Sequence, residues 1–569
     1  MSTPVKKVPI HLQSSQNRLL LKHGKVVNAD GIQDADVFIE DGLIKEIGKN
    51  LIIPGGTRVL DVRGMYIMPG GIDPHTHLQY EFMNTVTADD FYQGTKAAIA
   101  GGTTMIFDFA LPSKGESLLD AYEKVRNNAD GKACCDYSLH VGVTWWSDKV
   151  MEEMEALCNN NGVNSFKMFM TYKDLFMLND SELYNAFAKC KELGAVPMVH
   201  AENGHIIAEN IKLLLEKGVT GPEGHDMACP EIVEAEAVNR ACVIANQVQC
   251  PVYLDGLTSK TAADIAANFK EDPKVVGAVM ASSLGIDVLT PSVNTVTSPP
   301  IRSHSSLHLI QLLADGFLHV TGSDHRAYTT AQKNAGKGDF SKIPPGVNGV
   351  EDRMSIIWEK GVESGAMDPT QFVAITSANA AKIFNLYPRK GCIAVGSDAD
   401  IVVWNHSKTR TISAERHHHS SNYNVFEGLT VHGVPEYVIV NGRVCLEEGE
   451  VKPVQGFGRF VPTPTFPTFL YNQVEESQAV NGDGQVNNSQ HSAHSVEDNH
   501  SVKSDEHVEA AGFMWDSSVN KQTGKGMRQE GQRNLQDSTF SISCEMDDTE
   551  RRSCIRVFNP PGGPSSGFW

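Results

Sequence analysis

Two hydrophobic rhythms run along the chain, and their order predicts the fold. In "RLLLKHGKVVNADG", "ADVFIEDGLIKEIG" and "TRVLDVRGMYIMPG", short apolar runs alternate with polar positions and break at Asn-Ala-Asp-Gly, Glu-Asp-Gly and Arg-Gly. A period of two between turn residues predicts short strands. The same texture returns after Gly391, in "CIAVGSDADIVVWN" and "PEYVIVNGRVCLEEGEV", where Asn441-Gly442 is a hairpin signal. Flanks this alike predict one composite β-sandwich, assembled from residues 18–68 and 391–470.

Between the flanks the pattern becomes β–α–β–α. "DDFYQGTKAAIAGG" reads as a helix with Asp at its start and Gly at its end, and the strand "TTMIFDFA" follows. Strands "NSFKMFM", "AVPMVH", "CPVYLDG" and "FLHVTGSD" then alternate with helices "NDSELYNAFAKCKEL", "PEIVEAEAVNRACVIAN" and "SKTAADIAANFK". The first of these helices carries Leu183, Phe187 and Cys190 on one face. Repeated β–α units imply a parallel sheet with crossover helices. So many repeats predict an α/β fold closed as a (β/α)8 TIM barrel over residues 69–390, with its chemistry at the C-terminal strand ends.

Composition changes this picture in three places. A net charge of −20 argues against nucleic acid as a partner, because phosphate binding needs a basic footprint. Part of that acidity is local: from Val474 to Asn520 the only Lys or Arg is Lys503, in a Ser/Asn/Glu/His-rich stretch. Such a segment buries too little apolar surface to offset its ordering entropy, so residues 474–569 read as a largely disordered acidic tail. Eleven scattered cysteines without a CxxC pair read as reduced thiols of a cytoplasmic protein. No apolar run is long enough to span a membrane, and the first residues lack the apolar core of a secretory signal.

The candidate chemistry lies at four strand ends: His75 and His77 in "PGGIDPHTHLQY", Lys167, His200 and Asp324. Residues i and i+2 of a strand share a face, so the two imidazoles converge on one point, a good donor pair for a divalent metal. Singly, each residue has a plainer reading: a hydrogen-bonded core histidine, a lysine guarding an edge strand, an aspartate capping a helix. Together they sit at the same end of successive barrel strands. Burying an ammonium inside a barrel is costly, which favours the neutral amine. A neutral Lys167 adds carbon dioxide to become a carbamate, whose two oxygens can bridge two metals. Such a pair lowers the pKa of a shared water, with Asp324 as its general base.

The phrases "GGIDPHTH", "NSFKMFMTYKD", "MVHAENG", "TGPEGH", "GVNGVEDRMSIIWEKG" and "NAAKIFNLYPRKG" resemble those of the amidohydrolase-superfamily dihydropyrimidinases. They equally resemble the non-hydrolytic relatives of those enzymes, the collapsin response mediator proteins. The likeness runs from about Arg18 to Tyr471, and the ending "CIRVFNPPGGPSSGFW" is similar to that of invertebrate members. The resemblance implies zinc, a homotetramer, and reversible ring-opening of 5,6-dihydropyrimidines in pyrimidine catabolism. It assigns His75, His77, Lys167 and Asp324 to one metal and starts the second metal's set with Lys167 and His200. It makes Tyr172 the oxyanion-stabilising group and Ser283 a substrate-ring contact.

The likeness breaks inside one block. Where the enzymes end a strand in a phrase like "CPLYIVHVMSKS", this chain has "CPVYLDGLTSKT", so the ligand histidine becomes Gly256. Adjacent strand residues face opposite sides, so Asp255 reaches inward only through a bulge. "SDNCTFN" has become "SDHRAYT", which sets His325 and Arg326 beside Asp324. Pro345 replaces an asparagine and removes a backbone donor, Ile286–Pro299 looks shortened, and His205 stands where the family has Asp. A contiguous altered block, from about Gln249 to Pro345, suggests a swapped exon.

These residues point to a protein with an incomplete two-zinc site. It is expected to act as an oligomeric adaptor in cytoplasmic, neuronal or cytoskeletal signalling, with an active zinc hydrolase of cyclic amides as the alternative. The barrel and sandwich should carry the assembly. Deleting everything after Gln473 is therefore expected to leave the oligomer's mass per subunit unchanged in light scattering. A truncated protein running as a monomer would make the tail structural.

Overall fold

A computed structural model describes residues 17–269, 274–287 and 290–471. The predicted tail lies outside the described residues. Nine flank strands form one sheet: β1 (Arg18–Asn28), β2 (Gly31–Glu40), β3 (Leu43–Gly48), β4 (Arg58–Asp61) and β5 (Tyr66–Pro69) from the first flank. The second flank supplies β16 (Ile401–Thr411), β17 (Thr430–Val440), β18 (Arg443–Glu447) and β19 (Glu450–Val451). The two flanks join where β5 pairs antiparallel with β16, Ile67 opposite Val403. The composite β-layer expected from the sequence thus exists, its strands joined in one continuous hydrogen-bonded ladder. It closes on a core of Leu21, Val37, Ile39, Ile67, Ile401 and Ile439. Asn441 and Gly442 both take positive φ, 47° and 79°, as a two-residue hairpin between β17 and β18 requires.

The barrel begins at β6 (Gly71–Thr76); a small hairpin, β7 (Glu81–Phe82) and β8 (Thr85–Val86), follows at its mouth. The ring continues through β9 (Thr103–Ala110), β10 (Asp136–Gly142), β11 (Ser165–Phe169), β12 (Val196–His200), β13 (Val252–Leu257), β14 (Val275–Met280) and β15 (Val320–Gly322). All neighbouring pairs are parallel. Closure between β15 and β6 comes from a parallel bridge of Thr76 with His325. Ser323 reinforces it, its backbone N–H donating to Asp73 at 3.0 Å and its hydroxyl to the His75 carbonyl at 3.1 Å. Two of these strands went unmarked in the sequence. β10 puts polar Ser138 and His140 inside the barrel, and "VVGAVM" of β14 is too short for periodicity to separate strand from helix.

Alternation along each strand divides the core in two. Met105, Phe107 and Phe109 of β9 point inward with Met198, Tyr253 and Val276, and Phe384 plugs the ring against Phe107 and His140. Ile106, Phe166, Met168, Val199 and Leu254 face outward into the helical layer. The marked helices form as read. Asp90 caps Phe91–Ala100, and Asn179 makes a capping box on Asp180–Leu193, whose Leu183, Phe187 and Cys190 are buried. The described cysteines are all free thiols, and no described helix is long and apolar enough to cross a membrane.

Barrel and flank sheet meet at a buried charge cluster. The Lys390 ammonium donates to Asp136 at 2.6 Å, to Asp398 at 3.1 Å and also to Asp400, so this acidic trio is filled by a protein cation. Asp136 opens β10 while Asp398 and Asp400 lead into β16, so one side chain ties both layers. Lys390→Met leaves buried Asp136 and Asp400 without their main counter-ion, while Asp398 keeps Arg389. It is expected to cost roughly 3–5 kcal/mol, measured as a lowered urea midpoint at constant m.

Candidate metal centre

The strand ends line one small cavity with five of the six sequence-predicted positions, and three of them, His75, His77 and Asp324, converge on one point. His75 Nε2 faces His77 Nε2 at 3.0 Å, and Asp324 Oδ1 lies 3.2 Å and 3.7 Å from the same two nitrogens. For bonds of about 2.0–2.1 Å, tetrahedral geometry separates neighbouring donor atoms by about 3.3–3.4 Å. Two imidazole nitrogens and one carboxylate oxygen at these separations fit one divalent cation, and all three lie within 4.8 Å of one another. The His75 Nδ1–H donates to Asp255 at 2.9 Å, which orients the ring with Nε2 toward the cradle. Burial works against a charged His75, but Asp255 and Asp324 outweigh it and push the imidazole up to about 9. His77 is driven far down, first by burial and then by the charges of His75, Arg326 and Lys167.

The expected second set is differently disposed. The Lys167 ammonium, on β11 and only 3 % exposed, donates to Asp255, with the Phe109 and Phe169 rings 5.4 Å and 5.6 Å away. His200 Nε2 pairs with Glu202 at 2.7 Å, and Glu202 also accepts from the Ser298 hydroxyl at 3.1 Å. Asp255 is the site residue that the sequence admits only through a bulge, and the bulge is present. The β13–β14 register shifts between Leu254 and Leu257, so Asp255 and Gly256 together oppose one residue of β14. Tyr253 faces inward and Leu254 outward, Asp255 turns inward after them, Gly256 takes φ +80° and Leu257 is outward again. Burial raises the Asp255 pKa, but His75 and Lys167 hold it well below the carboxylate range.

Residues of the altered block close the mouth. Arg326, 7 % exposed, spreads its guanidinium over the Phe82 and Tyr80 rings at 4.5 Å and 5.0 Å, and lines the site beside Tyr172 and Ser298. Tyr172 (φ +56°) and Asp324 (φ +46°) both hold left-handed backbone, a strain characteristic of functional sites. What remains between the predicted ligands, Tyr172, Ser298 and Arg326 is a cavity of about 20 Å³. Next to it, past Tyr172 and Ser298, lies an apolar cavity of about 310 Å³ lined by Phe340, Ile343 and Pro345 but by none of the predicted ligands. His325 turns away from the ligands: its Nε2–H donates to Asp89 at 2.9 Å and Nδ1 accepts from the Gly349 N–H. Ser283 is fully buried on the short helix Ala281–Gly285, outside the cavity lining, and His205 is exposed to solvent.

A closed parallel barrel with candidate metal ligands at its C-terminal strand ends and a β-layer from both flanks is the architecture of the amidohydrolase superfamily. The sequence profile of the Amidohydrolase family matches residues 66–445. The chain is 55% identical to a dihydropyrimidinase of Rattus norvegicus over 475 residues, 81% of this chain and 92% of that one. It is 46% identical to dihydropyrimidinase-related protein 5 of Homo sapiens over 585 aligned positions, 98% of this chain and 99% of that one. The crystal structure of dihydropyrimidinase from Brevibacillus agri superimposes with a TM-score of 0.77 at 39% identity, covering 79% of this chain and 99% of that one. The chain belongs to the dihydropyrimidinase and collapsin response mediator protein family of the amidohydrolase superfamily.

The geometry sets an expected stoichiometry. Zinc-loaded, dialysed protein should retain one zinc per subunit by elemental analysis, and His77→Ala should lose it. Two retained zincs would show that the second set binds despite Gly256 and the Lys167–Asp255 pair.

Proposed function

We propose that this protein is a dihydropyrimidinase-family member with ring hydrolysis disabled, working as a cytoplasmic homo-oligomer, a tetramer by analogy, in the manner of the collapsin response mediator proteins. The observation that carries the reading is the mouth of the site. Small-molecule pockets need about 300–1,000 Å³, whereas the space touching the predicted ligands is about 20 Å³. A void of that size holds about one water. The volumes able to accept a six-membered ring belong to neighbouring cavities lined by none of the predicted ligands, one of about 310 Å³ past Tyr172 and Ser298 and one of about 680 Å³ past Tyr80 and Phe109. Tyr172, the expected oxyanion donor, shares the narrow space beside the ligands with Ser298 and Arg326.

A metal held by His75, His77 and Asp324 would supply an activated water. Asp324 would accept that water's proton and Tyr172 would donate to the oxyanion. Here Arg326 occupies the approach to both. The extent of similarity supports the same reading. The match to dihydropyrimidinase-related protein 5 runs over 98% of the chain, whereas that to the rat dihydropyrimidinase covers 81%. As an adaptor the protein would present its outer surface to signalling or cytoskeletal proteins and leave the barrel mouth shut.

An active zinc dihydropyrimidinase is the second reading, favoured by one observation. The ligand positions His75, His77, Lys167, His200 and Asp324 are all retained at the strand ends. Turnover of dihydrouracil by the zinc-loaded protein separates the two: the first expects none above the buffer rate, the second expects steady ring-opening.

A repair experiment has a structural forecast. A Cβ at Gly256 has room, its nearest neighbours being Met280 Cε at 3.5 Å and Pro299 Cδ at 3.8 Å. Its φ of +80° nevertheless suits glycine and strains a histidine. Gly256→His alone should leave dihydrouracil turnover at least about 100-fold below that of working relatives, since a misplacement of about 1 Å costs that much. Replacing the whole Gln249–Pro345 segment by an enzyme-like one should restore it. Full rate from the single change would show the mouth to be open.

A further inference from the structure

We infer that Asp255 replaces the lysine carbamate in this protein: Lys167 remains an unmodified ammonium, and the site takes one divalent cation without drawing on carbon dioxide. This rests on the reading of the cavity as a disarmed hydrolase centre, and it says how the centre was rebuilt around its lysine.

The residues present do not fit a carbamate. Forming one requires the Nζ lone pair to attack the carbon of carbon dioxide. The ammonium first gives up one proton to expose that pair, the N–C bond forms as a C–O π pair moves onto oxygen, and a second proton leaves nitrogen for solvent. The product is an anion where an ammonium stood. In this barrel that anion would lie against Asp255, whose two oxygens are both committed, one to Lys167 and one to the His75 N–H. An attractive pair would become a repulsive one, inside a wall made by Phe109 and Phe169. A second metal ion bridged by the carbamate would lack donors of its own, since Gly256 has none and His200 is paired with Glu202. Among the described residues Lys167 has no other carboxylate partner.

Asp255 also performs the geometric task left by the lost bridge. Its contact with His75 Nδ1 orients a predicted first-metal ligand, and its contact with Lys167 holds the lysine off the cradle. The carboxylate turns inward within the bulge that Asp255 shares with Gly256 on β13. Asp255, where the enzymes carry Val, changes the charge and the modification, and its neighbour Gly256 removes the second metal's donor.

The test is carbon-13 NMR of full-length protein equilibrated with labelled bicarbonate, with zinc supplied as the chloride. The wild type is expected to show no enriched carbamate resonance, with or without zinc. Its zinc affinity should be the same in carbon-dioxide-free and bicarbonate buffers. Asp255→Val and the near-isosteric Asp255→Asn should each gain a carbamate resonance that Lys167→Ala abolishes. Asp255→Asn should also bind zinc about 10–100-fold more weakly in carbon-dioxide-free buffer, the usual loss for an outer-shell partner. A carbamate resonance in the wild type overturns the inference, as do folded Asp255 variants that gain none. The wild-type measurement decides even where a variant does not fold. Dihydrouracil turnover by carbamate-free wild type would overturn the proposed function and leave this inference standing. A carbamate in wild type without turnover would do the reverse.

Discussion

A lysine inside a barrel must meet an anion, and in this protein that requirement organises the site. Lys167 sits among Phe109, Phe169 and the two predicted ligand histidines, where water cannot neutralise it. Asp255 supplies the charge and shares it with His75, so one carboxylate fixes a cation and a metal ligand at once. With Asp255 turned in, the backbone is free to bulge at Gly256, and a glycine there meets the positive φ without strain. The missing ligand and the added carboxylate are thus two sides of one local change on β13.

The same rule operates at the opposite layer. Lys390 is buried among Asp136, Asp398 and Asp400, and this cluster joins the start of β10 to the approach to β16. Buried charges are tolerated only where partners surround them. In both places the partners come from distant parts of the chain, so each cluster works as a lock on tertiary structure. Arg353 is a third case: it is fully buried beside Asp73 and donates to the Thr321 and Thr376 carbonyls.

The mouth of the barrel shows how few positions separate an open site from a closed one. Arg326 follows Asp324 by two residues, so it reaches the same strand end from the wider side, over Phe82 and Tyr80. Its guanidinium lines the same narrow space as Tyr172, the group expected to stabilise an oxyanion. Tyr172 and Asp324 both hold strained, positive φ.

Sequence by itself determined what local periodicity can carry. The alternating flanks gave strands that do pair across Ile67 and Val403, and the Asn441-Gly442 turn was legible because only certain residues take positive φ twice in succession. Helix caps at Asp90 and Asn179, and the buried face of Leu183, Phe187 and Cys190, follow from spacing of 3.6 and local hydrogen bonds. The strand ends bearing His75, Lys167, His200 and Asp324 were legible too, since a barrel puts chemistry there. Tertiary structure alone decided which way Asp255 points, because direction depends on where a bulge falls, and a bulge depends on the neighbouring strand. It alone set Arg326 over Tyr80 and Phe82 and paired His325 with Asp89, contacts between segments far apart in the chain. A period of two says that neighbours face opposite sides; only packing against β14 says which side is in.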